Sequence, residues 1–201
     1  MLDEDYTELF DETGKMSMSF IKSASERMKF LVDGLLDYSR LGKEVAYKDI
    51  DCNRMLIELQ HDLDHAIQRT NAVISVQEMP IIKGSEYEIR MVFQNLVSNA
   101  IKFVATGVNP KITISCEKEV ADDTHGKTYW KFAISDNGIG IPEIYHERIF
   151  SIFQRLHSRE LYEGTGIGLA HCKKIIESHG GNIWLESEEG RGTTFFFTIP
   201  A

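Results

Sequence analysis

The sequence lacks a long apolar run and has few cysteines. No stretch approaches the roughly 18 consecutive apolar residues of a membrane-crossing helix. The acidic start, residues 1–5, is unlike the basic start of a signal peptide. Cys52, Cys116 and Cys172 are far apart and have no CxxC spacing, which argues against a disulfide framework or a zinc knuckle. These absences predict a cytoplasmic location and no membrane segment in this chain.

Positive charge is also in short supply. Thirty-one acidic residues against 22 basic ones give a formal net charge of -9, and no basic run is long enough to reverse the field locally. Nucleic acid and anionic lipid are therefore not expected as partners. The chain has 201 residues, of which 42% are hydrophobic, enough for one sizeable domain with its own core and a small appendage.

The first 41 residues predict one long helix. Only Gly14 and Gly34 interrupt it, and apolar residues recur at alternating spacings of three and four from Ile21 to Tyr38. This pattern fits a strand of a coiled coil or four-helix bundle, and it equally fits an amphipathic helix packed on its own domain. Because Gly42-Lys43-Glu44 ends the helix, we expect a first domain at residues 1–43 and a second at 44–201.

The second domain alternates helical and strand patterns. The patterns predict two hairpins and three helices, so the expected fold class is α+β: a two-layer sandwich in which helices cover one face of a mixed sheet, preceded by the long helix. The predicted helices are 52–68, 86–105 and about 167–179, the single strands 45–50 and 72–76, and the hairpin strands 112–116 with 130–134 and 182–187 with 193–199.

Three polar side chains share one face of the helix predicted at 86–105. Asn95, Asn99 and Lys102 stand at positions i, i+4 and i+7, beside a separate apolar face. An amide oxygen is a hard ligand suited to Mg²⁺ and adds no negative charge next to a phosphate, and a lysine supplies a cation. The alternative is an ordinary solvated helix face.

Two glycine-rich segments follow. In Asp136-x-Gly138-x-Gly140, a carboxylate at the end of a strand can accept a hydrogen bond from a ligand amine, and the glycines let a flat ring approach the backbone. In Gly164-x-Gly166-x-Gly168, amides at the start of a helix can bind phosphate. Its spacing matches neither the dinucleotide fingerprint nor the P-loop. Each segment alone is a weak signal, since turns also explain the first.

The order of these elements carries a family resemblance. An asparagine-bearing helix, Asp136-x-Gly138-x-Gly140, the segment from Ile149 to Leu156, and then Gly164-x-Gly166-x-Gly168 together resemble the ATP-binding catalytic domain of sensor histidine kinases. These kinases share a Bergerat-type fold with gyrase, heat-shock chaperone and mismatch-repair ATPases. The match covers about residues 45 to 200, and Asp37-Tyr38-Ser39-Arg40 resembles the end of the second dimerisation helix in phytochrome-like kinases.

The resemblance implies a role for each matching residue at the base of ATP. Asp136 would accept the exocyclic amine of adenine, and Phe103 would pack on the ring. Gly138, Gly140 and Ile141 would shape the pocket, and Thr193 or Thr194 would sit near the base.

At the phosphate end, the resemblance implies that Asn99 coordinates Mg²⁺ with Asn95 beside it, and that Lys102 reaches the phosphates. Arg155 would meet the terminal phosphate from a mobile lid at roughly 154–165. The remaining residues that would cap the triphosphate are Gly164, Thr165, Gly166, Gly168 and Leu169. Asn95, Lys102 and Arg155 are the expected catalytic residues.

The resemblance also implies the reaction and the partners. Such a domain transfers the γ-phosphate of ATP to a histidine of a dimerisation domain, for relay to an aspartate of a response regulator receiver domain, and the full-length kinase is a homodimer. The family's acceptor histidine precedes the segment at Asp37, whereas the first histidine here is His61, so this chain lacks its acceptor. The alternatives are an ATPase or a nucleotide-binding module without transfer. Gln94 and Asn95 stand where those ATPases usually carry a glutamate base, which argues against hydrolysis.

Overall fold

The computed structural model describes residues 11–42, 46–120, 127–154, 156 and 166–201. The chain divides into two compact units on either side of the Arg40–Leu41 bond. The domain boundary expected near residue 43 remains a prediction, because residues 43–45 lie outside the described part.

The first unit contains a single long helix, α1, at Glu12–Arg40. The Asp11 carboxylate accepts a hydrogen bond from the N–H of Gly14 at 2.7 Å, which satisfies one of the unpaired donors at the start of a helix. No helix within the described ranges combines the length and the apolar character needed to cross a membrane. Whether α1 belongs to a bundle of helices stays a prediction.

The second unit contains four helices and seven strands, together with two 3-10 helices at Glu143–Tyr145 and Arg148–Phe150. In chain order the elements are β1 (Lys48–Asp51), α2 (Cys52–Asp62), α3 (Asp64–Thr70), β2 (Val73–Val76), β3 (Ile81–Gly84), α4 (Glu86–Lys102), β4 (Lys111–Val120), β5 (Thr128–Asp136), α5 (Gly168–Ser178), β6 (Ile183–Glu188) and β7 (Gly192–Pro200).

Five strands form the main sheet in the order β2-β4-β5-β7-β6. β2 runs parallel to β4, and every other neighbouring pair in this sheet is antiparallel, so the sheet is mixed as predicted. Both expected hairpins are present as β4–β5 and β6–β7. A separate ribbon pairs β1 with β3 in the antiparallel sense.

One face of the main sheet carries the core. Phe93 of α4 packs edge-on against Phe132 of β5 and Phe197 of β7, with ring centroids 5.6 Å and 5.3 Å apart. All three side chains are fully buried. Residues of alternating register, such as Ala133 and Phe196, belong to the other face and are only partly buried. The predicted sandwich, with helices on one face of the sheet, is therefore confirmed.

Two helix predictions differ from the structure. The helix expected at 52–68 is two helices with a break at Leu63, although the hydrogen bonds from Leu63 N to Leu59 O and from Ile67 N to Leu63 O continue across it. The helix expected to reach 105 ends at Lys102, because Phe103 leaves helical geometry and its carbonyl accepts the N–H of Ile139 at 2.9 Å.

Candidate functional site

The C-terminal half of α4 and the start of α5 lie against each other. A Cβ built on Gly168, the first residue of α5, would stand 2.7 Å from Oδ1 of Asn95. Such a distance is shorter than any normal contact, so only a glycine lets the helix start come this close to the amide. The structure therefore brings together the asparagine helix and the last glycine of the Gly164-x-Gly166-x-Gly168 segment.

The amide groups of Asn95 and Asn99 are half-buried, one turn apart on α4. Neither side chain donates or accepts a hydrogen bond with another residue in the part of the chain that the structure describes. Because a half-buried polar group usually has a partner, these two amides have capacity for a ligand. Nζ of Lys102, at the end of the same helix, lies 4.1 Å from the ring centroid of Phe103.

Asp136 is the last residue of β5, and its carboxylate is held by two backbone donors. Oδ1 accepts the N–H of Gly138 at 2.8 Å and the N–H of Thr193 at 3.1 Å. Burial raises the pKa of this carboxyl, and the two N–H donors offset part of that rise. Among the described residues, none donates to the second oxygen, Oδ2. A fixed carboxylate with one oxygen available can accept a hydrogen bond from a ligand amine.

Two glycines after Asp136 allow close backbone approach. A Cβ on Gly138 would lie 2.4 Å from the carbonyl oxygen of Phe103, and one on Gly140 would lie 2.1 Å from that of Glu188. Gly140 also has a φ of +71°, a left-handed conformation that favours glycine. The segment 138–141 is thus fixed between the end of α4 and the turn that joins β6 to β7.

The two threonines of the sequence prediction lie on opposite faces of β7. The backbone N–H of Thr193 contacts Asp136, and its side chain is buried. Oγ1 of Thr194 donates to Oγ of Ser135, 3.0 Å away, across the β5–β7 pair. Of the two candidates, Thr193 is the one that the structure places beside Asp136.

Several predicted residues fall outside the described part. Arg155, Gly164 and Thr165, together with most of the expected lid, are among them. At the edge of that segment, Gly166 has a φ of +74° and its carbonyl accepts the N–H of Phe153 at 2.9 Å. Leu169 and Ile141 are partly buried and pack against the core.

Sequence reasoning did not single out Ser187. Its Oγ accepts the N–H of Ile141 at 2.8 Å and donates to the carbonyl of Gly192 at 2.8 Å. It therefore links the segment after Asp136 to the start of β7. A signal was present, since Ser187 shares the core-facing register of Ile183 and Leu185 on β6, where a hydroxyl is out of place without a partner.

Comparison with known proteins identifies the family. Residues 84–201 match the family described as histidine kinase-, DNA gyrase B-, and HSP90-like ATPase. The match covers more than half of the chain and includes α4, Asp136 and the β6–β7 hairpin. The chain belongs to this family, and it carries a catalytic domain homologous to those of sensor histidine kinases.

Individual relatives agree with this assignment. The chain is 41% identical to the phytochrome-like protein Cph1 of Synechocystis sp. over 100% of its own length and 26% of that protein. A solved catalytic domain of the histidine kinase ThkA is 32% identical, with a TM-score of 0.63, over 78% of this chain and 96% of that one. ThkA in complex with the response regulator protein TrrA gives 29% identity and a TM-score of 0.65 over 95% and 52%. The chain thus spans about a quarter of the length of the curated relatives it matches.

Proposed function

We propose that this chain binds ATP with Mg²⁺ and transfers the γ-phosphate to a histidine supplied by a dimerisation domain, for relay to a response regulator. The observation that carries the proposal is the fixed carboxylate of Asp136 on one side and the unpartnered amides of α4 on the other. The ATPase family assignment supports nucleotide binding.

The base would lie at Asp136. Two backbone N–H groups engage Oδ1, so the carboxylate cannot turn away, and Oδ2 keeps the capacity to accept from the exocyclic amine of adenine. Gly138 and Gly140 leave room for a flat ring because they carry no Cβ. Phe103 would contact the ring from the end of α4.

The phosphates would lie along α4 and at the start of α5. Asn95 and Asn99 offer amide oxygens, Lys102 offers a cation, and the first amides of α5 begin at Gly168. These donors fit Mg²⁺, which takes one or two protein oxygens together with phosphate oxygens. No group of three or more His, Cys, Asp or Glu within the described ranges forms a metal cluster, so a site completed by the phosphates is the arrangement that fits. Bound there, Mg²⁺ would neutralise phosphate charge.

The acceptor and the relay partner would come from outside this chain. The sequence has no histidine before His61, so the phosphorylated histidine would belong to a dimerisation domain. The complex of ThkA with TrrA supports a response regulator as the final partner. In such a transfer the protein mainly positions the groups and screens charge.

Labelled ATP separates transfer from binding alone. The chain is mixed with [γ-³²P]ATP, Mg²⁺ and a separately expressed dimerisation domain that carries its histidine. We expect label on that domain that is lost at acid pH, as a phosphohistidine is. Label that appears only as free phosphate would indicate an ATPase, and binding without either product would indicate a nucleotide-binding module.

Two variants test the site assignment. Asn99→Ala should weaken Mg²⁺-dependent nucleotide binding, and Asp136→Ala should abolish the preference for adenine. Asn71→Ala is the control, because Asn71 is an exposed residue after α3 with a φ of 51° and makes no contact with the site. Unchanged ATP affinity in both site variants would show that the pocket is elsewhere.

A further inference from the structure

Ser187 uses its full hydrogen-bonding capacity. Its Oγ lies 2.8 Å from the nitrogen of Ile141, 2.8 Å from the carbonyl oxygen of Gly192 and 2.8 Å from Oγ1 of Thr193. A serine hydroxyl has one hydrogen to donate and two lone pairs to accept with. Three contacts therefore account for the whole group.

The directions of these three bonds follow from the partners. The backbone N–H of Ile141 can only donate, and the carbonyl of Gly192 can only accept, so it receives the single hydrogen of Ser187. The remaining contact must then run from the hydroxyl of Thr193 to Oγ of Ser187. The hydrogen of Thr193 is thus committed, and Oγ1 of Thr193 offers only lone pairs to any other group.

Thr193 stands next to Asp136, whose carboxylate also only accepts. The N–H of Thr193 donates to Oδ1 of Asp136, so the two residues form one continuous edge of the pocket. With the threonine hydrogen turned toward Ser187, this edge carries acceptors alone. A 6-aminopurine presents an N–H group to such an edge, whereas the carbonyl of a 6-oxopurine would face lone pairs.

We propose that Ser187 is a specificity-determining positioning residue: by fixing the hydroxyl of Thr193 as an acceptor, it makes the pocket prefer ATP to 6-oxopurine nucleotides. This inference rests on the proposed function, in which the base lies at Asp136. Ser187 acts through Thr193 and makes no contact with the reacting phosphate.

The loop that Ser187 touches does not depend on its hydroxyl. The N–H of Gly190 donates to the carbonyl of Ile139 at 2.8 Å, and the N–H of Ile139 donates to the carbonyl of Phe103 at 2.9 Å. Both are backbone bonds and remain in Ser187→Ala. The variant should therefore keep the pocket in place while Thr193 becomes able to rotate and donate.

Binding of ATP and of inosine triphosphate, the 6-oxo analogue, tests the proposal. Calorimetry with Mg²⁺ gives both dissociation constants for the wild type, Ser187→Ala, Thr193→Val and the double variant. We expect wild type to prefer ATP and Ser187→Ala to lower the ratio of the two affinities by about tenfold, the value of one hydrogen bond reversed. In the Thr193→Val background, Ser187→Ala should leave the ratio unchanged, because its effect passes through the threonine hydroxyl.

Ser135→Ala is the matched control. It removes another strand hydroxyl that bonds to a threonine of β7, on the opposite face of the sheet, and should leave the ratio as in wild type. If Ser187→Ala weakens both nucleotides equally, the hydroxyl is only structural and the proposal is overturned while ATP binding stands. If wild type binds neither nucleotide, the proposed function fails and this inference fails with it.

Discussion

Oδ1 of Asn95 occupies the space that a side chain on Gly168 would fill: a Cβ at residue 168 would lie 2.7 Å from this oxygen. The start of α5 and the asparagine face of α4 can meet only because residue 168 has no side chain. A small change at this point should therefore act on nucleotide binding more than on folding, since the asparagine amide can move aside.

Gly168→Ala should lower ATP affinity by about tenfold, since the added methyl displaces the Asn95 amide and costs about one hydrogen bond. The free energy of unfolding should change by less than about 1 kcal/mol, because alanine suits a helix start as well as glycine does. Calorimetric titration with ATP and urea unfolding measure the two effects. Gly34→Ala, the same change within α1, should leave ATP affinity as in wild type; a stability loss without weaker binding in Gly168→Ala would contradict this account.

Asp136→Asn should weaken ATP binding by about ten- to a hundredfold. The amide oxygen can still accept the N–H groups of Gly138 and Thr193, but the second position becomes an NH₂ donor that faces the donor of adenine. Titration calorimetry checks the affinity. An ATP affinity equal to that of wild type would remove Asp136 from base recognition.

The same variant should change how stability depends on pH. Burial raises the pKa of Asp136 above its ordinary value of 3.8, so the folded state binds this proton more tightly than the unfolded state does. The carboxylate therefore lowers the free energy of unfolding as the pH rises from about 3.8 through the folded-state pKa. Asp136→Asn has no such proton, so its stability relative to wild type should increase over that window and then level off. Urea unfolding across the acid range measures it, and a difference that is constant with pH would contradict the expectation.

The main elements of the second unit follow from short-range patterns. Alternation around Ile112 and Phe132 predicts the β4–β5 hairpin, and the apolar face of Leu96 and Ala100 predicts α4. Long-range contacts set what the patterns miss. α4 stops before the expected residue because the carbonyl of Phe103 bonds to Ile139, thirty-six positions later. β3 escaped prediction because its four residues gain their pairing from β1, more than thirty positions earlier.

The candidate site divides in the same way. Residues with an unusual type in a regular element, such as the mid-helix Asn95 and Asn99 or the strand-ending Asp136, are visible in the sequence. Ser187 is not, because a serine in a strand is ordinary until its three partners are known. A hydroxyl network depends on which strands are neighbours, and the spacing of residues along one chain does not contain that.

The three thiols should react slowly in the folded protein. Burial raises the pKa of Cys52, Cys116 and Cys172 to about 12 each, and the thiolate is the species that attacks an alkylating reagent. Labelling by iodoacetamide should rise about tenfold for each pH unit between 7 and 9, with no plateau near the ordinary thiol pKa of about 8.5. Mass spectrometry should find Cys116, the half-buried one, modified first. Rapid labelling of Cys172 under native conditions would disagree with its burial.

Glu88 is buried in the first turn of α4 with only one of its oxygens paired. Oε1 accepts the N–H of Gly42 at 2.8 Å, while Oε2 lies 3.9 Å from Nδ1 of His179 and has no hydrogen bond with a described residue. His179 cannot serve it, because Nε2 accepts the N–H of Ser85 and Nδ1 contacts the carbonyl of Ile175 at 2.8 Å. The imidazole hydrogen is thus used within α5, and the carboxylate charge has no close counter-charge among the described side chains.

Glu88→Gln and Glu88→Ala should therefore differ. The glutamine keeps an oxygen for the N–H of Gly42 and removes the buried charge, so its free energy of unfolding should stay within about 1 kcal/mol of wild type or rise. The alanine leaves that N–H unpaired and opens a cavity, which should cost about 2–4 kcal/mol. Urea unfolding at neutral pH compares them. Glu86→Ala is the control: Glu86 is partly exposed and pairs with Lys48 at the surface, so its removal should cost less than about 1 kcal/mol. An equal loss in Glu88→Gln and Glu88→Ala would show that the charge itself stabilises the fold.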